Sequence, residues 1–207
     1  MLTTIARQSA AAVRVLLVMT LLLGIVHPLG IWLVTRLPGL SGPAEGSVVR
    51  AADGTAAGSS LIGIDPVAAD AAADPWFHTR PSATAEDADG LGPGDATTSA
   101  GANLGGFDEG LLATIGSRRE RIAAREGVDP AAVPVDAVSS SASGIDPDIS
   151  PAYAALQVPR VARVTGLPED TVRALVADAT TGRALGFLGE PTVNVTELNL
   201  SVAAATG

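Results

Sequence analysis

The stretch VLLVMTLLLGIVHPLGIWLVT, residues 15–35, decides the architecture. It has no side chain charged at neutral pH apart from the titratable His27. A helix of this length rises about 30 Å, which matches the hydrocarbon core of a bilayer. Arg14 and Arg36 bracket it, and Trp32 falls near its distal interface. Pro28 and Gly30 are expected to bend or thin the helix, which a membrane tolerates when other groups satisfy the freed carbonyl. A cleaved signal peptide is the rival reading, but its apolar region runs about 7–15 residues and ends in a small-x-small site. Here the apolar run is longer and leaves through Thr35-Arg36-Leu37-Pro38-Gly39, which favours an uncleaved anchor. His27 is a candidate for pairing with a partner helix, because polar groups in a span are costly. The plainer alternative is that His27-Pro28 marks a kink. One helix alone cannot line a channel.

Outward from the span, charge sets direction. Arg7 and Arg14 precede it, Arg36 follows it closely, and no acid occurs before Glu45. The positive-inside rule therefore makes residues 1–14 cytoplasmic and exports the C-terminal domain. Beyond Arg36 the chain holds 22 carboxylates against 10 arginines, a net of −12. Such a surface repels nucleic acid, keeps the domain soluble and concentrates cations. Lysine is absent, so neither a P-loop nor the Asp-Lys-Thr-Gly motif of a phosphorylated pump can form. Cysteine is absent, which excludes disulfides and thiolate sites.

Residues 36–60 are small and turn-rich, and read as a tether with a first short strand near Ser47–Arg50. Residues 61–207 read as a mixed α/β domain of the α+β type, large enough to bury a core. Leu61–Ile64 reads as a second short strand and residues 82–106 as a long loop. Asp108 should cap a helix that ends at Gly127, with Leu111, Leu112, Ile115 and Ile122 inside and Arg118, Arg119, Arg121 and Arg125 mostly outside. Ser150-Pro151 should open a helix that stops at Gly166, kinked at Pro159. Another helix is expected from Leu167-Pro168-Glu169-Asp170 to Gly182. The segment TVNVTELNLSV reads as a strand whose apolar phase slips between Val195 and Leu198, as at a bulge.

Chemistry-bearing residues are sparse. His27 and His78 are too far apart for a zinc motif. No Gly-x-Ser-x-Gly elbow occurs, although His78 with the plentiful serines and aspartates leaves an anchored exported hydrolase as an alternative. Ser139 to Gly144 could cradle an anion through backbone N–H groups, with Arg160 and Arg163 nearby. The plainer alternative is that Gly144 and Asp146-Pro147 steer the chain while the arginines make surface ion pairs. On residue chemistry alone a docking domain is favoured over an enzyme.

The order of motifs adds to this. After the single span come GSSLIG at 58–63, WFHTRPSAT at 76–84 and GANLG at 101–105. VPVDAVSSSASGIDPDISPAYAALQVPRVA comes next at 133–162, and GRALGFLGEPTVNVTELNL at 182–200. Over almost its whole length the chain resembles the C chain of bacterial potassium-transporting ATPases, KdpC. The resemblance implies a single-pass subunit of the plasma membrane in a high-affinity potassium uptake complex. Its partners there would be a channel-like A chain, a P-type ATPase B chain and a small F chain. It also implies a catalytic chaperone without catalysis of its own, which raises the affinity of the B chain for ATP. By the same match Gln157 is the nucleotide-linked position, with Arg160 beside it and with Ser143, Gly144, Asp146 and Pro147 shaping the adjoining loop. The chain departs from the family at Asp148, where histidine is usual, and at Thr79, where glycine is common. The two readings are in tension, because an exported domain cannot touch ATP held in the cytoplasm.

Overall fold

The computed structural model describes residues 1–207, which fall into two units, Met1–Ser47 and Val48–Gly207. In the first, α1 (Leu2–Leu21), a π turn (Leu22–Val26) and α2 (His27–Val34) join into one 33-residue helix, Leu2–Val34. Its length of about 50 Å exceeds a hydrocarbon core, because the polar, arginine-bearing N-terminal turns extend the apolar stretch. None of its residues is buried, so its apolar surface is free to meet lipid or other helices. The irregularity foreseen at Pro28 lies one turn earlier. Pro28 has no N–H to give the carbonyl four residues back, and the helix widens into a π turn in which His27 N–H bonds Leu22 O. Beyond it the Arg36 guanidinium lies 5.0 Å from the Trp32 ring centre and 2.8 Å from Glu45. A short helix, α3 (Ser41–Ala44), carries the chain to the second unit.

The second unit opens with an antiparallel hairpin, β1 (Val48–Arg50) and β2 (Ala56–Ser59), whose register shifts between Val49 and Arg50. The strand expected at Leu61–Ile64 is absent. Only an isolated bridge joins Ser59 to Ile62, and Gly63 turns instead to residues 145–147, donating to Ile145 O. A Cβ there would stand 2.5 Å from Asp146 O and Pro147 Cα, so only glycine allows the approach. The long loop holds no helix or strand between 82 and 106.

Helix α4 (Glu109–Glu126) follows its local signals. Asp108 accepts from Leu111 N–H at 2.9 Å, and Gly127 closes the helix at φ 71°. After α5 (Val135–Val138) and β3 (Asp148–Ile149) comes α6 (Pro151–Thr165). Ser150 Oγ caps it by accepting from Tyr153 N–H, Gly166 ends it at φ 75°, and it runs through Pro159. Tyr153, Ala154, Val158, Val161 and Ala162 are buried, so packing on this face outweighs the missing proline N–H.

Two further expectations are corrected. Helix α7 (Glu169–Asp178) ends before Gly182, because the chain straightens into β4 (Thr180–Thr181) to join a sheet. The C-terminal segment is a strand only over β5 (Thr192–Asn194); Val195–Thr206 is helix α8. The apparent slip of phase is a helix start. Asn194 Oδ1 accepts from Glu197 N–H, and Val195, Leu198 and Val202 recur at helical spacing and are buried. The sheet is antiparallel in the order β3-β5-β4, with Ile149 and Thr180 both opposite Val193. Helix α6 lies at the centre, against α4, α7 and β5. This is the α+β domain with one long apolar N-terminal helix that the sequence implied.

Candidate functional site

The segment WFHTRPSA, residues 76–83, belongs to no helix or strand. Buried backbone polar groups still require partners. Side chains supply them. Asn199 of α8 accepts from Phe77 N–H and donates to Phe77 O, both at 2.8 Å. Gln157 of α6 treats His78 alike: Oε1 accepts from its N–H at 2.8 Å, and Nε2 donates to its carbonyl at 3.3 Å. Each amide stands in for a neighbouring strand. Asp65 Oδ1 then accepts from Thr79 N–H at 2.9 Å.

Charge collects around His78, which is buried. Its Nδ1 lies 3.0 Å from Asp65 Oδ1, and its Nε2 lies 2.5 Å from Asp74 Oδ2. Both ring nitrogens of His78 thus face carboxylate oxygens. Arg160, 4% exposed, donates to Asp74 O at 2.8 Å, to Glu126 Oε2 at 2.9 Å and to Gln157 Oε1 at 3.2 Å. Arg125 pairs with Glu126 at 2.7 Å and reaches the buried Tyr153 hydroxyl at 2.9 Å. Burial alone would raise the Asp74 carboxyl. The His78 ring, the Trp76 N–H and the Arg160 charge outweigh it and hold that carboxyl below its ordinary value. Burial pushes the Tyr153 phenol up, against the Arg125 charge beside it.

The same segment reaches a second cluster. Arg80 donates to the carbonyls of Ser139 and Ser140 and pairs with Asp146 at 3.2 Å. Pro81 O accepts from Ser141 N–H, and Ser82 Oγ donates to Gly144 O at 2.7 Å. Gly144 N–H is taken by Ser141 Oγ, and Ser143 O accepts from Ala100 N–H. Gly144 sits at φ 77°, with Ala100 O only 2.9 Å from where a Cβ would stand.

Gln157 and Arg160 therefore meet directly, while Ser143 and Gly144 belong to the second cluster, and residues 76–83 join the two. None of the hydrogen bonds of Arg160 reaches residues 139–144, and Arg163 is exposed. In the 139–144 loop, Ser139 N–H donates to Asp136 O, Ser141 N–H to Pro81 O and Gly144 N–H to Ser141 Oγ. Gln157 and Arg160 are buried and hydrogen-bonded within the domain. Arg118, expected outside, is buried and donates to Asp89 O and Val138 O. Both nitrogens of His78 serve carboxylates and neither serves a serine hydroxyl, so a Ser-His pair is not assembled. Sequence reasoning missed Asp65, Asp74, Glu126 and Asn199. The motif WFHTRPSAT flagged the segment, but nothing local flagged its distant partners.

Asp148 lies on β3. Burial and then the neighbouring Asp146 raise its carboxyl, and the Thr192 hydroxyl opposes them in part. A carboxyl raised by folding weakens the fold once ionised, and that penalty fades as pH falls through the folded pKa. D148N is thus expected to raise the melting temperature at pH 7, with the gain vanishing toward pH ~3.8. Thermal melts of both proteins across that range check it; an equal gain at every pH would exclude titration as the cause.

Comparison with known proteins places this geometry in context. The model of the KdpC family, the c chain of K+-transporting ATPases, matches residues 9–204. The potassium-transporting ATPase KdpC subunit of Kineococcus radiotolerans is 46% identical over 204 residues, covering 99% of this chain and 97% of that protein. The KdpC subunit of Rhodopseudomonas palustris strain BisB18 is 44% identical, covering 96% and 98%. That of Streptomyces coelicolor is 42% identical, covering 97% and 94%.

Proposed function

Because the chain belongs to the KdpC family of K+-transporting ATPase c chains, we propose that it serves ATP-driven potassium import as a non-catalytic accessory subunit. It is a subunit of a potassium-transporting ATPase, and it therefore has partner subunits. In our reading these are the channel-like A chain, the P-type ATPase B chain and the small F chain. The observation that carries the proposal is the pairing of one wholly exposed apolar helix with a folded domain whose conspicuous polar cluster is internally satisfied. Such a cluster shapes a docking body; it does not perform turnover. The alternative of an exported hydrolase finds no support in the contacts of His78.

We further infer that residues 15–35, the apolar stretch of this helix and its last turn, make a single pass through the plasma membrane, with residues 1–14 in the cytoplasm and the domain outside, on the strength of the arginine bias. The chaperone action on ATP is then indirect. Gln157 and Arg160 keep the docking domain in shape, and the assembled B chain binds ATP more tightly as a result. Potassium is the transported ion of the complex, and no site for it is assigned to this chain.

Topology is the direct test. The chain has no cysteine, and Ser99 is exposed. S99C in intact cells should react with a membrane-impermeant maleimide without lysis. Reaction only after lysis would place the domain inside and make direct nucleotide contact the leading mechanism. Subunit status is tested separately: the other subunits purified without this chain should bind ATP more weakly, and adding it back should restore their affinity.

A further inference from the structure

Residues 182–190, GRALGFLGE, form a closed turn of which every residue is exposed. Ala184 and Leu188 exchange two backbone hydrogen bonds, each 2.9 Å. Inside them Gly186 N–H donates to Arg183 O and Phe187 N–H to Ala184 O. At the base Arg183 pairs with Glu190 at 2.6 Å. The turn is therefore held in one shape. Yet it presents apolar side chains to solvent: Leu185 is 83% exposed, Phe187 68% and Leu188 51%. Leu185 also sits at φ 54°, a left-handed conformation that a leucine resists. Local hydrogen bonds thus hold an apolar knuckle in an unfavourable backbone form and leave it uncovered. That is the character of a preorganised anchor, which loses little freedom on docking.

We propose that this knuckle, Leu185-Gly186-Phe187-Leu188, docks into an apolar socket on another subunit of the same ATPase. The inference rests on the reading of this chain as a subunit. Charge selects a protein socket over a bilayer. Surface-binding elements combine apolar groups with free cations that meet anionic lipid. The only cation in the turn, Arg183, is already paired, and residues 48–207 carry 21 carboxylates against 10 arginines. An acidic body with an apolar tip suits a socket whose rim is basic.

The test places a photo-reactive benzoylphenylalanine at Phe187 of the full chain, co-expressed with the other subunits. Irradiation should join this chain to one partner subunit, read as a single band at their summed mass. A product with lipid alone, a product with a second copy of this chain, or no product from an intact complex would each overturn the proposal. Because a probe at the tip could itself block docking, F187D is measured in parallel. It should leave the melting temperature of the purified chain nearly unchanged, since the side chain is largely exposed. It should release the chain from the purified complex at least tenfold faster; an unchanged release rate would also overturn the proposal. Failure of the wild-type chain to join any complex would instead strike the subunit reading, so the two failures are distinguishable.

Discussion

Replacing Arg160 with leucine is expected to lower the unfolding free energy by about 3–5 kcal/mol, as for removing one partner of a buried ion pair. Arg160 is 4% exposed, and its guanidinium serves Glu126, the Asp74 carbonyl and Gln157 at once. Leucine fills part of the volume but leaves the Glu126 carboxylate, whose side chain is 0% exposed, with only Arg125 beside it. Against a typical total of about 5–15 kcal/mol, such a loss brings the domain near its limit. Urea unfolding of the full chain in detergent checks this. Arg160→Lys should fall between the two, because an ammonium keeps the charge but cannot fork to three acceptors. A loss below about 1 kcal/mol for R160L would mean that the cluster relaxes or hydrates, against the single-site cost expected for burial.

Gln157→Leu is expected to cost about 3 kcal/mol or more, from three groups stripped of a partner at about 1–3 kcal/mol each. Those groups are the N–H and carbonyl of His78 and one Arg160 nitrogen. This variant also decides how Gln157 relates to ATP. If the residue acts through the fold, the ATP affinity of the assembled complex should fall only under conditions where the domain loosens, and cooling within the stable range should restore it. A weakened ATP affinity with an unchanged melting temperature would instead require Gln157 to leave His78 and touch nucleotide. Measuring both quantities on one preparation separates the readings.

Much of this fold was legible because its signals are local. Asp108 and Gly127 bound α4, and Ser150 and Gly166 bound α6, through contacts within a few residues. The C-terminal segment was misread although its helix signals were present. Its β-branched residues suggested a strand, and the Asn194 cap with Val195, Leu198 and Val202 competed with that suggestion. The resolution lay in the packing: the core accepts that face as a helix, after only three residues of β5.

By itself the sequence determined the long apolar N-terminal helix, the acidity of the domain beyond it, the absence of lysine and cysteine chemistry, and most of the helix ends. Each depends on composition or on neighbours within about one turn. Only the tertiary structure decided that Arg118 and Arg160 lie inside, or that residues 76–83 are held by side-chain amides 79 and 122 positions away. The same is true of the turn at Leu185–Leu188, which is uncovered. An arginine or a leucine has the same local propensity inside or out. Its burial depends on which distant groups arrive to satisfy or cover it, and that information resides in the packing.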